Sequence, residues 1–360
     1  MINGVKWLKI ANVGINKIKN DEISYLPYEY LKKYDKFILK EGDLVIALTR
    51  PILNKELKIS FVNNEFNNSL LNQRVGKIES KNKIILKFIY YLLQLPRNIY
   101  YMESRIVGTD PPNLSNKDLL NQTYILPSIP EQYKISNFIS KIDRKIDLLE
   151  KKLVLWDKYI FSLKCNYFDN INIEKIVKFK EIIKKGIAGG TPKSSIQSYY
   201  NGEIPFLTIN DMTKQGKFIK STEKTITKEG LNNSSAWIVP KNSLLYSMYA
   251  SIGFVSINKI DLTTSQAIYS IILKDNVNQE YIFHYLKNYK RFIHKYIETG
   301  TQGNLNSKII KNIKIKLPSL EEQNYYSNLF NIFDYKIQTL NTKIKQYKTF
   351  KKYLLQNMFI

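Results

Sequence analysis

Cysteine is nearly absent from this sequence, since Cys165 is the one residue of its kind among 360. An intrachain disulfide bond and a site built from several thiolate ligands are therefore excluded, and the reducing cytoplasm is the compartment we expect. No apolar run approaches the roughly 18 residues that a membrane-spanning helix needs. The N-terminal stretch also lacks the charged and then apolar segments of a signal peptide.

Residues that could support catalysis are scarce as well. The two histidines, His284 and His294, have no constellation of carboxylates or thiols around them, as a metal centre would require. No P-loop signature with its Lys-Ser or Lys-Thr pair appears, so ATP hydrolysis by this chain is not expected. The stretch Asp110-Pro111-Pro112-Asn113 approaches a motif of adenine methyltransferases, but Asn113 stands where an aromatic ring must stack on the flipped base. The sequence therefore predicts a protein without catalysis, metal or cofactor of its own.

Acidic residues are few relative to basic ones. Lys and Arg together number 55 against 31 Asp and Glu, which gives a net charge of +24. Such an excess indicates a polyanionic partner, most often nucleic acid and sometimes a membrane surface. The composition is also typical of an AT-rich genome, but that bias enriches Glu as well as Lys and does not explain the surplus. We therefore expect nucleic-acid binding.

An internal repeat organises the chain. The segment that begins at Leu126 recurs 191 positions later at Leu317, and the two copies are identical at 15 of 43 positions without a gap. Both copies open with the motif Leu-Pro-Ser-x-x-Glu-Gln. Fainter matches precede them, such as Asn72-Gln73 with Ser265-Gln266. The order along the chain is therefore domain, helix, domain, helix.

Both copies carry a heptad pattern of apolar residues, which is typical of helices that pair with each other. Prolines at 127, 130 and 318 mark the helix entrances. Each helix is predicted to run about 35 residues, or roughly 50 Å, and Lys351 interrupts the second pattern near its end. The predicted helix-pairing seam is Ile139, Ile142, Ile146, Leu149, Leu153, Trp156 and Ile160 with Phe330, Phe333, Ile337, Leu340, Ile344 and Tyr347.

Short β-rich runs and helical runs precede each long helix, so we predict an α+β chain with two tandem mixed α/β domains. The predicted segments are a first domain at 1–127, a first long helix at 128–168, a second domain at 169–317 and a second long helix at 318–360. A chain duplicated in this way can fold about a pseudo-twofold axis. Its helices would then pair as an antiparallel coiled coil with a domain at each end.

This order of domains and helices resembles the specificity subunit of type I restriction-modification systems. Gly189-Gly190-Thr191-Pro192 and the stretch Gly-Thr-Gln-Gly-Asn-Leu at 300–305 are similar to segments common in that family. The first domain starts at Gly4, which aligns with Gly202. We therefore predict that the first target-recognition domain lacks its N-terminal part, the counterpart of residues 179–201.

The resemblance implies a non-catalytic subunit that reads double-stranded DNA at a bipartite target, two half-sites with an unspecified spacer. It implies two modification (methyltransferase) subunits and restriction (endonuclease and translocase) subunits as partners. S-adenosylmethionine, ATP and magnesium would be bound by those partners only. The chain would serve DNA methylation and phage defence, and the helices would set the half-site spacing, as dimer geometry does in other DNA-binding proteins.

Candidate DNA contacts are polar side chains in turns or at ends of predicted strands, because base edges in the major groove are read by hydrogen bonds. Arg and Lys suit guanine, and Asn and Gln suit adenine. In the first domain the candidates are Lys9, Asn12, Thr49, Arg50, Gln73, Arg74 and Arg105. In the second they are Thr208, Asn210, Asp211, Ser247, Tyr249, Ser251, Gln266, Thr301 and Gln302. Gln73 and Gln266 recur in both repeats, which also fits a structural role.

Other functions fit parts of the pattern. A coiled-coil interaction scaffold, or the recognition subunit of another phage-defence complex, would share the helices and lack catalysis. A self-contained methyltransferase-nuclease would need catalytic motifs that the sequence does not show. Sequence-dependent DNA binding separates a recognition subunit from a scaffold.

Overall fold

The structure, a computed structural model, describes residues 4–81, 84–106, 112–171, 175–296 and 305–359. The chain divides into two compact units. Unit 1 comprises residues 1–152 and 341–360, and unit 2 comprises residues 153–340. Each long helix therefore contributes one part to unit 1 and the other part to unit 2. In the part of the chain that the structure describes, no helix is long and apolar enough to cross a membrane.

The described part of unit 1 contains two main sheets of short strands. One has the order β2-β1-β8-β3, with β1 and β8 parallel, and the other has the antiparallel order β7-β4-β9. β4 is buried along its whole length because its four residues are all apolar. The strands are β1 Val5–Leu8, β2 Ser24–Leu26, β3 Ile38–Leu39, β4 Leu44–Ala47, β5 Ile52–Leu53, β6 Glu56–Leu57, β7 Ile59–Phe61, β8 Ser69–Leu71 and β9 Val75–Ile78.

The helices of unit 1 join its sheets to the two long helices. Phe88 and Met102, on the second and third helices, share a buried core with Leu44 of β4, with Ile139 and with Phe359 near the end of the chain. The helices are α1 Tyr30–Lys33, α2 Leu86–Leu93, α3 Pro96–Arg105, α4 Asn116–Leu120 and the first long helix, α5 Ile129–Asn170. Short 3-10 turns lie at Asp35–Phe37 and Asn64–Phe66.

Unit 2 has a larger sheet of order β11-β18-β15-β16-β13, a second of order β14-β12-β17 and a two-stranded pair β10-β19. Its strands are β10 Ile176–Lys178, β11 Ile183–Ala188, β12 Tyr200–Leu207, β13 Phe218–Ile219, β14 Lys224–Ile226, β15 Leu244–Ser247, β16 Val255–Asn258, β17 Thr263–Thr264, β18 Ile268–Leu273 and β19 Lys314–Lys316. β15 and β16 are buried throughout, so the centre of this sheet is the core of the unit.

In unit 2 the helix Gln279–Tyr289 packs between one face of that sheet and the long helices. Tyr281 and Phe283 are buried in one core with Phe168 and with Phe330 of the second long helix. The helices are α6 Phe179–Ile182, α7 Ile209–Gln215, α8 Lys228–Asn232, α9 Gln279–Tyr289, α10 Ser307–Lys311 and the second long helix, α11 Leu320–Asn357. Further 3-10 turns lie at Gln197–Tyr199 and Lys290–Tyr296.

The faint sequence repeat between the two domains is a repeat of backbone pairing. Leu8 lies opposite Leu71 in the parallel pair β1–β8, and Leu207 lies opposite Thr264 in the parallel pair β12–β17. The Leu114 N–H donates to the Leu48 carbonyl at 2.8 Å in unit 1. In unit 2 the Leu305 N–H donates to the Met248 carbonyl at 3.0 Å. Equivalent backbone hydrogen bonds therefore connect equivalent segments in both units.

The repeated Leu-Pro-Ser-x-x-Glu-Gln motif joins each α/β domain to its long helix. The Gln132 side chain donates to the Pro127 carbonyl at 3.0 Å and accepts from the Ile85 N–H at 2.9 Å. Gln323 does the same in unit 2, with the Pro318 carbonyl at 2.9 Å and the Asn278 N–H at 3.0 Å. Both glutamines are buried. The motif is thus a structural joint, because an amide held from both ends fixes the start of α2 or α9 against the helix.

In unit 1 the first part of α5 packs against the last part of α11. Ion pairs join Asp143 to Lys351 at 2.8 Å and Glu150 to Lys348 at 2.7 Å. Rising numbers on α5 meet falling numbers on α11, so the helices are antiparallel. Between them lies a small buried apolar cluster made of Ile142, Ile146 and Leu354.

In unit 2 the last part of α5 packs against the first part of α11 in the same sense. The rings of Trp156 and Phe333 lie 6.4 Å apart, and those of Tyr167 and Tyr326 lie 3.7 Å apart. The predicted antiparallel pairing is therefore confirmed within each unit. All 13 predicted seam residues are buried or half-buried. α5 has 42 residues and α11 has 38, so both helices exceed the length of about 35 residues estimated from the sequence pattern.

The two units differ at one edge of their sheets. In unit 2, β11 pairs with β18 and β10 pairs with β19. The corresponding segments of unit 1 are β9 and residues 123–125, and among the described residues neither has such a partner strand. Ile125, in the second of these segments, is 92% exposed.

A graft tests this correspondence. Residues 175–201 placed directly upstream of Gly4, in the order that unit 2 has, are expected to raise the melting temperature of unit 1 by about 4 °C or more. The added strands would pair with β9 and with residues 123–125 and would cover Ile125. Differential scanning calorimetry measures the shift. The matched control graft carries Val177→Asp and Ile182→Asp, since both residues are buried in unit 2. An equal rise with the control graft would contradict the correspondence.

Candidate nucleic-acid interface

The loop that follows β4 carries two predicted contacts in a constrained conformation. Arg50 is exposed and has φ of 47°, in the left-handed region that costs energy for a residue other than glycine. Its backbone N–H donates to the Pro112 carbonyl at 2.8 Å. The buried Thr49 hydroxyl donates to Asn113 Oδ1 at 2.6 Å. Asn113 therefore serves as a structural partner of this loop, whereas Asp110 and Pro111 lie outside the described residues.

Two lysines add positive charge near Arg50. The Lys58 N–H donates to the Pro51 carbonyl at 2.7 Å, beside the loop. The pKa of Lys58 lies below its usual value because of burial first, and then because of the positive charges of Lys19 and Arg50. Like charges that lower the pKa of a neighbour in this way form an electropositive surface that a phosphate group would neutralise. We call Lys19, Arg50 and Lys58 the basic patch.

Gln73 and Arg74 lie in the exposed turn between β8 and β9. The Leu48 N–H donates to the Arg74 carbonyl at 2.9 Å, so this turn packs against the start of the Arg50 loop. The fold thus brings the predicted contacts Thr49, Arg50, Gln73 and Arg74 together from two separate parts of the sequence. With the basic patch they form the candidate interface of unit 1.

Lys9 and Arg105 each lie against an aromatic ring. The Lys9 ammonium is 5.8 Å from the centroid of Trp7, and the Arg105 guanidinium is 5.3 Å from that of Tyr101. These distances fit cation–π contacts, which restrict the side chains and leave their charges in place.

Asn12 is a correction to the predicted set. It is fully buried, and its Oδ1 accepts from the Lys9 N–H at 3.1 Å. Its Nδ2 donates to the carbonyls of Lys19 and Asp21 at 3.2 and 3.0 Å. Both N–H groups and the oxygen of this buried amide are bonded within the fold and hold the loop after β1, so the side chain presents nothing to a base.

Asp211 in unit 2 is likewise buried and bonded within the fold, with the half-buried Thr208 as its partner. Asp211 is 2% exposed and accepts from the Thr208 N–H at 2.9 Å and from the Thr208 hydroxyl at 2.7 Å. Its other oxygen accepts from the Glu223 N–H at 3.0 Å. The pair caps the start of α7, a common use of these residue types at a helix N-terminus.

Ser247 is also satisfied inside the fold. It is fully buried, donates to the Ser251 carbonyl at 2.7 Å and accepts from the Phe254 N–H at 2.9 Å. Its hydroxyl braces the loop that follows β15. The interface proposed below therefore omits Asn12, Thr208, Asp211 and Ser247.

That loop after β15 is the unit 2 counterpart of the Arg50 loop. Tyr249 is 37% exposed, Ser251 is exposed, and Ala250 and Ser251 have φ of 29° and 46°. Left-handed conformations thus recur at the same place in both units. Such conformations persist when the surrounding structure holds them, and they cluster at binding sites.

Gln266 lies beside the Gly-Gly-Thr-Pro segment. It is exposed, and its N–H donates to the Thr191 hydroxyl at 3.4 Å. A Cβ on Gly189 would lie 2.2 Å from the Thr264 carbonyl oxygen, so only glycine lets the chain pass there. The segment thus positions Thr191 and Gln266 together.

The remaining predicted contacts of unit 2 are Asn210, Thr301 and Gln302, and no described contact joins Asn210 to Thr191 or Gln266. Asn210 is exposed and donates to a Glu223 carboxylate oxygen at 3.3 Å. Thr301 and Gln302 lie outside the described residues. In unit 1, the sequence analysis did not identify Lys19 and Lys58 as interface residues, because a single lysine forms no distinctive pattern in a lysine-rich chain.

A comparison with known protein families shows to which family this chain belongs. The sequence profile described as "Type I restriction modification DNA specificity domain" matches residues 7–154 and again residues 172–348. The chain belongs to this family. The two matches correspond to the two halves of the internal repeat, so each recognition domain with its following helix is one family module.

Curated relatives are named as specificity subunits of type I restriction enzymes. The MjaVIII specificity subunit of Methanocaldococcus jannaschii is 38% identical over 151 residues, which cover 42% of this chain and 36% of that protein. The EcoR124I/EcoR124II specificity subunit of Escherichia coli is 25% identical over 274 residues, 70% of this chain and 64% of that protein. The matched regions thus span between about a third and two thirds of these relatives.

Solved structures share the fold. The type I restriction-modification S subunit from M. genitalium aligns with a TM-score of 0.61 at 15% identity, covering 99% of this chain and 93% of that one. A chain from a structure of complex assembly and conformational transition of the type I R-M system aligns with a TM-score of 0.59 at 16% identity, covering 89% and 82%. The predicted α+β fold of this specificity-domain family is confirmed.

Proposed function

We propose that this chain is the DNA sequence-recognition subunit of a type I restriction-modification complex. It would read a bipartite target in double-stranded DNA and would perform no catalysis itself. The observation that carries the proposal is the duplication of one family module, with a constrained, polar loop at the same place in each copy. Two such modules match a target of two half-sites, since protein duplication and target duplication correspond in DNA recognition.

The exposed residues of these loops suit the two tasks of a DNA interface. The basic patch would contact phosphates, which fix position without reading sequence. Arg74 can bond guanine, and Gln73 and Gln266 can bond adenine, through base edges in the major groove. Tyr249 and Ser251 would contribute from the equivalent loop of unit 2.

Partner subunits are proposed from the outer faces of the long helices. Many large apolar side chains there are exposed, whereas single-chain proteins rarely expose such patches without a partner. In unit 1 these are Tyr133, Phe138, Leu148, Phe350 and Tyr353, and in unit 2 they are Val154, Leu155, Tyr159, Phe161, Tyr325, Ile332 and Tyr335. Two modification subunits would cover these surfaces and restriction subunits would join them. Those partners would bring S-adenosylmethionine, ATP and magnesium.

The basic patch gives the first test of DNA binding. The double variant Arg50→Glu with Lys58→Glu is expected to weaken binding of target DNA at least about tenfold. It should also flatten the dependence of log affinity on log salt by about two, since each phosphate contact adds roughly 0.9 to that slope. Fluorescence anisotropy on the chain bound to its modification subunits measures both quantities.

The matched control is Lys32→Glu with Lys33→Glu, two exposed lysines of α1 that change the net charge equally. We expect this control to keep most of the salt dependence. If both double variants behave alike, the basic patch is not the contact surface. If the unmodified complex binds all DNA sequences equally, the chain is a scaffold rather than a recognition subunit.

A further inference from the structure

The repeated long helices place an aspartate at the same position of each copy. Asp143 on α5 and Asp334 on α11 are 191 positions apart, the offset of the whole repeat. Each contacts a lysine of the opposite long helix and lies next to a ring on the recognition domain of its own unit. In each unit, both long helices and a helix of the domain therefore meet at one cluster of polar side chains. We call this cluster the polar point of that unit, and it lies in a seam that is otherwise mostly apolar.

In unit 1 the point is formed by Asp143, Lys351 and Tyr91. Asp143 Oδ1 lies 2.8 Å from the Lys351 ammonium, and Asp143 Oδ2 accepts from the Tyr91 hydroxyl at 2.8 Å. The ammonium also lies 5.6 Å from the centre of the Tyr91 ring. Lys351 is only 9% exposed, although its position interrupts the heptad pattern. The interruption is thus a paired charge at the junction of α2, α5 and α11.

In unit 2 the point is formed by Asp334, Lys164 and His284. The Lys164 ammonium lies 3.0 Å from Asp334 Oδ1 and 3.4 Å from His284 Nδ1. His284 is fully buried, and burial first and then the charge of Lys164 lower its pKa to about 3. The neutral ring therefore accepts from Lys164 at Nδ1 and donates from Nε2 to Asn331 Oδ1 at 2.9 Å.

In unit 2 the hydrogen-bond network continues from the polar point into the recognition domain. Asn331 Oδ1 also accepts from the Lys217 ammonium at 2.6 Å, and Lys217 pairs with Glu280 at 2.9 Å. Lys217 stands directly before β13, and Glu280 lies in the first turn of α9. The network therefore ties the long helices to both the sheet and the helical side of unit 2.

The lysines select one alignment of the helices because they do not repeat with the heptad. Seven residues before and after Lys351 stand Ile344 and Met358, and seven residues before and after Lys164 stand Asp157 and Ile171. A pairing shifted by one heptad would keep apolar residues in the seam. It would, however, set Asp143 against Ile344 or Met358, and it would set Lys351 against Ser136 in one direction or Glu150 in the other. Asp143 loses its lysine in both directions. Unpaired buried charge is strongly unfavourable, and single polar positions specify register in coiled coils.

We propose that Asp143–Lys351 and Asp334–Lys164 are register locks, positioning pairs that fix the alignment of the long helices and seat each recognition domain on it. This inference rests on the proposed function, because the alignment would then set the separation of the two half-sites. The locks act by excluding heptad-shifted alignments, whereas the apolar seam supplies most of the attraction between the helices.

The register of unit 1 can be measured directly by pulsed electron paramagnetic resonance. Spin labels are placed at Lys145 and Lys352, both exposed in unit 1, in a Cys165→Ser background. The unchanged lock should give one distance. Asp143→Lys should add a second population at a different distance, because a shift of one heptad slides α11 along α5 by roughly 10 Å. Packing of Phe359 on Phe88 also holds α11, so a mixture rather than full conversion is expected.

Two further variants separate register from simple stability. The charge exchange Asp143→Lys with Lys351→Asp should restore the single distance. The control Asp147→Lys, at a 56% exposed carboxylate one turn further along α5, should leave the single distance unchanged. If Asp143→Lys does not fold, the isosteric Asp143→Asn decides. A folded lock variant that melts earlier but keeps one distance would overturn the proposal.

Methylated-motif mapping in cells distinguishes this failure from failure of the proposed function. If the lock sets the register, Asp143→Lys should allow more than one spacer length while the half-site sequences stay the same. The charge exchange should restore a single spacer length. If the variant keeps one spacer, the lock proposal fails and the proposed function stands. If the unmodified chain directs no motif at all, the proposed function fails, while the distance measurement still judges the locks.

Discussion

A matched insertion of seven residues in both long helices is expected to lengthen the unspecified spacer of the DNA target by about three base pairs. One heptad adds roughly 10 Å to each helix and keeps the apolar seam in phase. Three base pairs of B-DNA also span about 10 Å. The insertions belong between Leu149 and Leu153 on α5 and between Leu340 and Ile344 on α11. Mapping of methylated motifs in cells that carry the variant measures the spacer.

The control is a matched insertion of four residues at the same places. It rotates the seam residues out of phase, so the helices can no longer bury them together, and assembly with the modification subunits should be lost. The half-site sequences should stay unchanged in the heptad variant, because the insertion touches no residue of either recognition loop. Half-sites that keep their original separation after the heptad insertion would show that helix length does not set the spacing.

Replacement of Phe330 by alanine is expected to destabilise unit 2 by about 3–5 kcal/mol, the usual cost of removing a buried phenylalanine. Phe330 is fully buried, and its ring lies 5.6 Å from Tyr167, 5.5 Å from Phe168 and 5.4 Å from His284. The Lys164 ammonium also lies 5.3 Å from the Phe330 ring. The variant therefore opens a cavity where α5, α9 and α11 meet. Urea unfolding followed by circular dichroism measures the change in the free energy of unfolding.

Tyr335→Ala on the same helix is the matched control, since Tyr335 is 70% exposed. Its loss should change the free energy of unfolding by no more than about 0.5 kcal/mol. Because a chain of two units need not unfold in one step, the transition of unit 2 is compared between variants. Equal destabilisation by both substitutions would mean that the ring cluster around Phe330 does not stabilise this junction.

The sequence by itself determined the α+β architecture and the antiparallel pairing of the long helices. Both follow from patterns that are local or repeated. The apolar spacing from Ile139 to Ile160 specifies a helix face without knowledge of its partner, and the match of Leu126 with Leu317 reveals the duplication. The same patterns placed all 13 seam residues at buried or half-buried positions.

Only the tertiary structure decided which polar residues face solvent. Asn12, Asp211 and Ser247 have the composition of DNA contacts, yet their hydrogen bonds are satisfied within the fold. Lys58, which no pattern indicated, is drawn into a positive cluster with Lys19 and Arg50. A polar side chain carries no mark of its future partner, since that partner is set by chain segments far away in sequence.

The two buried lysines make the same point for the helices. Lys351 looked like a defect in the heptad pattern, and Lys164 drew no attention, because a seam is predicted from apolar spacing alone. Their carboxylates lie about 170 and 210 positions away along the chain, on the opposite helix in each case. The sequence thus determined that the helices pair, because apolar periodicity is local. The structure decided at which residues they are held, because a buried charge is stable only where folding brings its partner within reach.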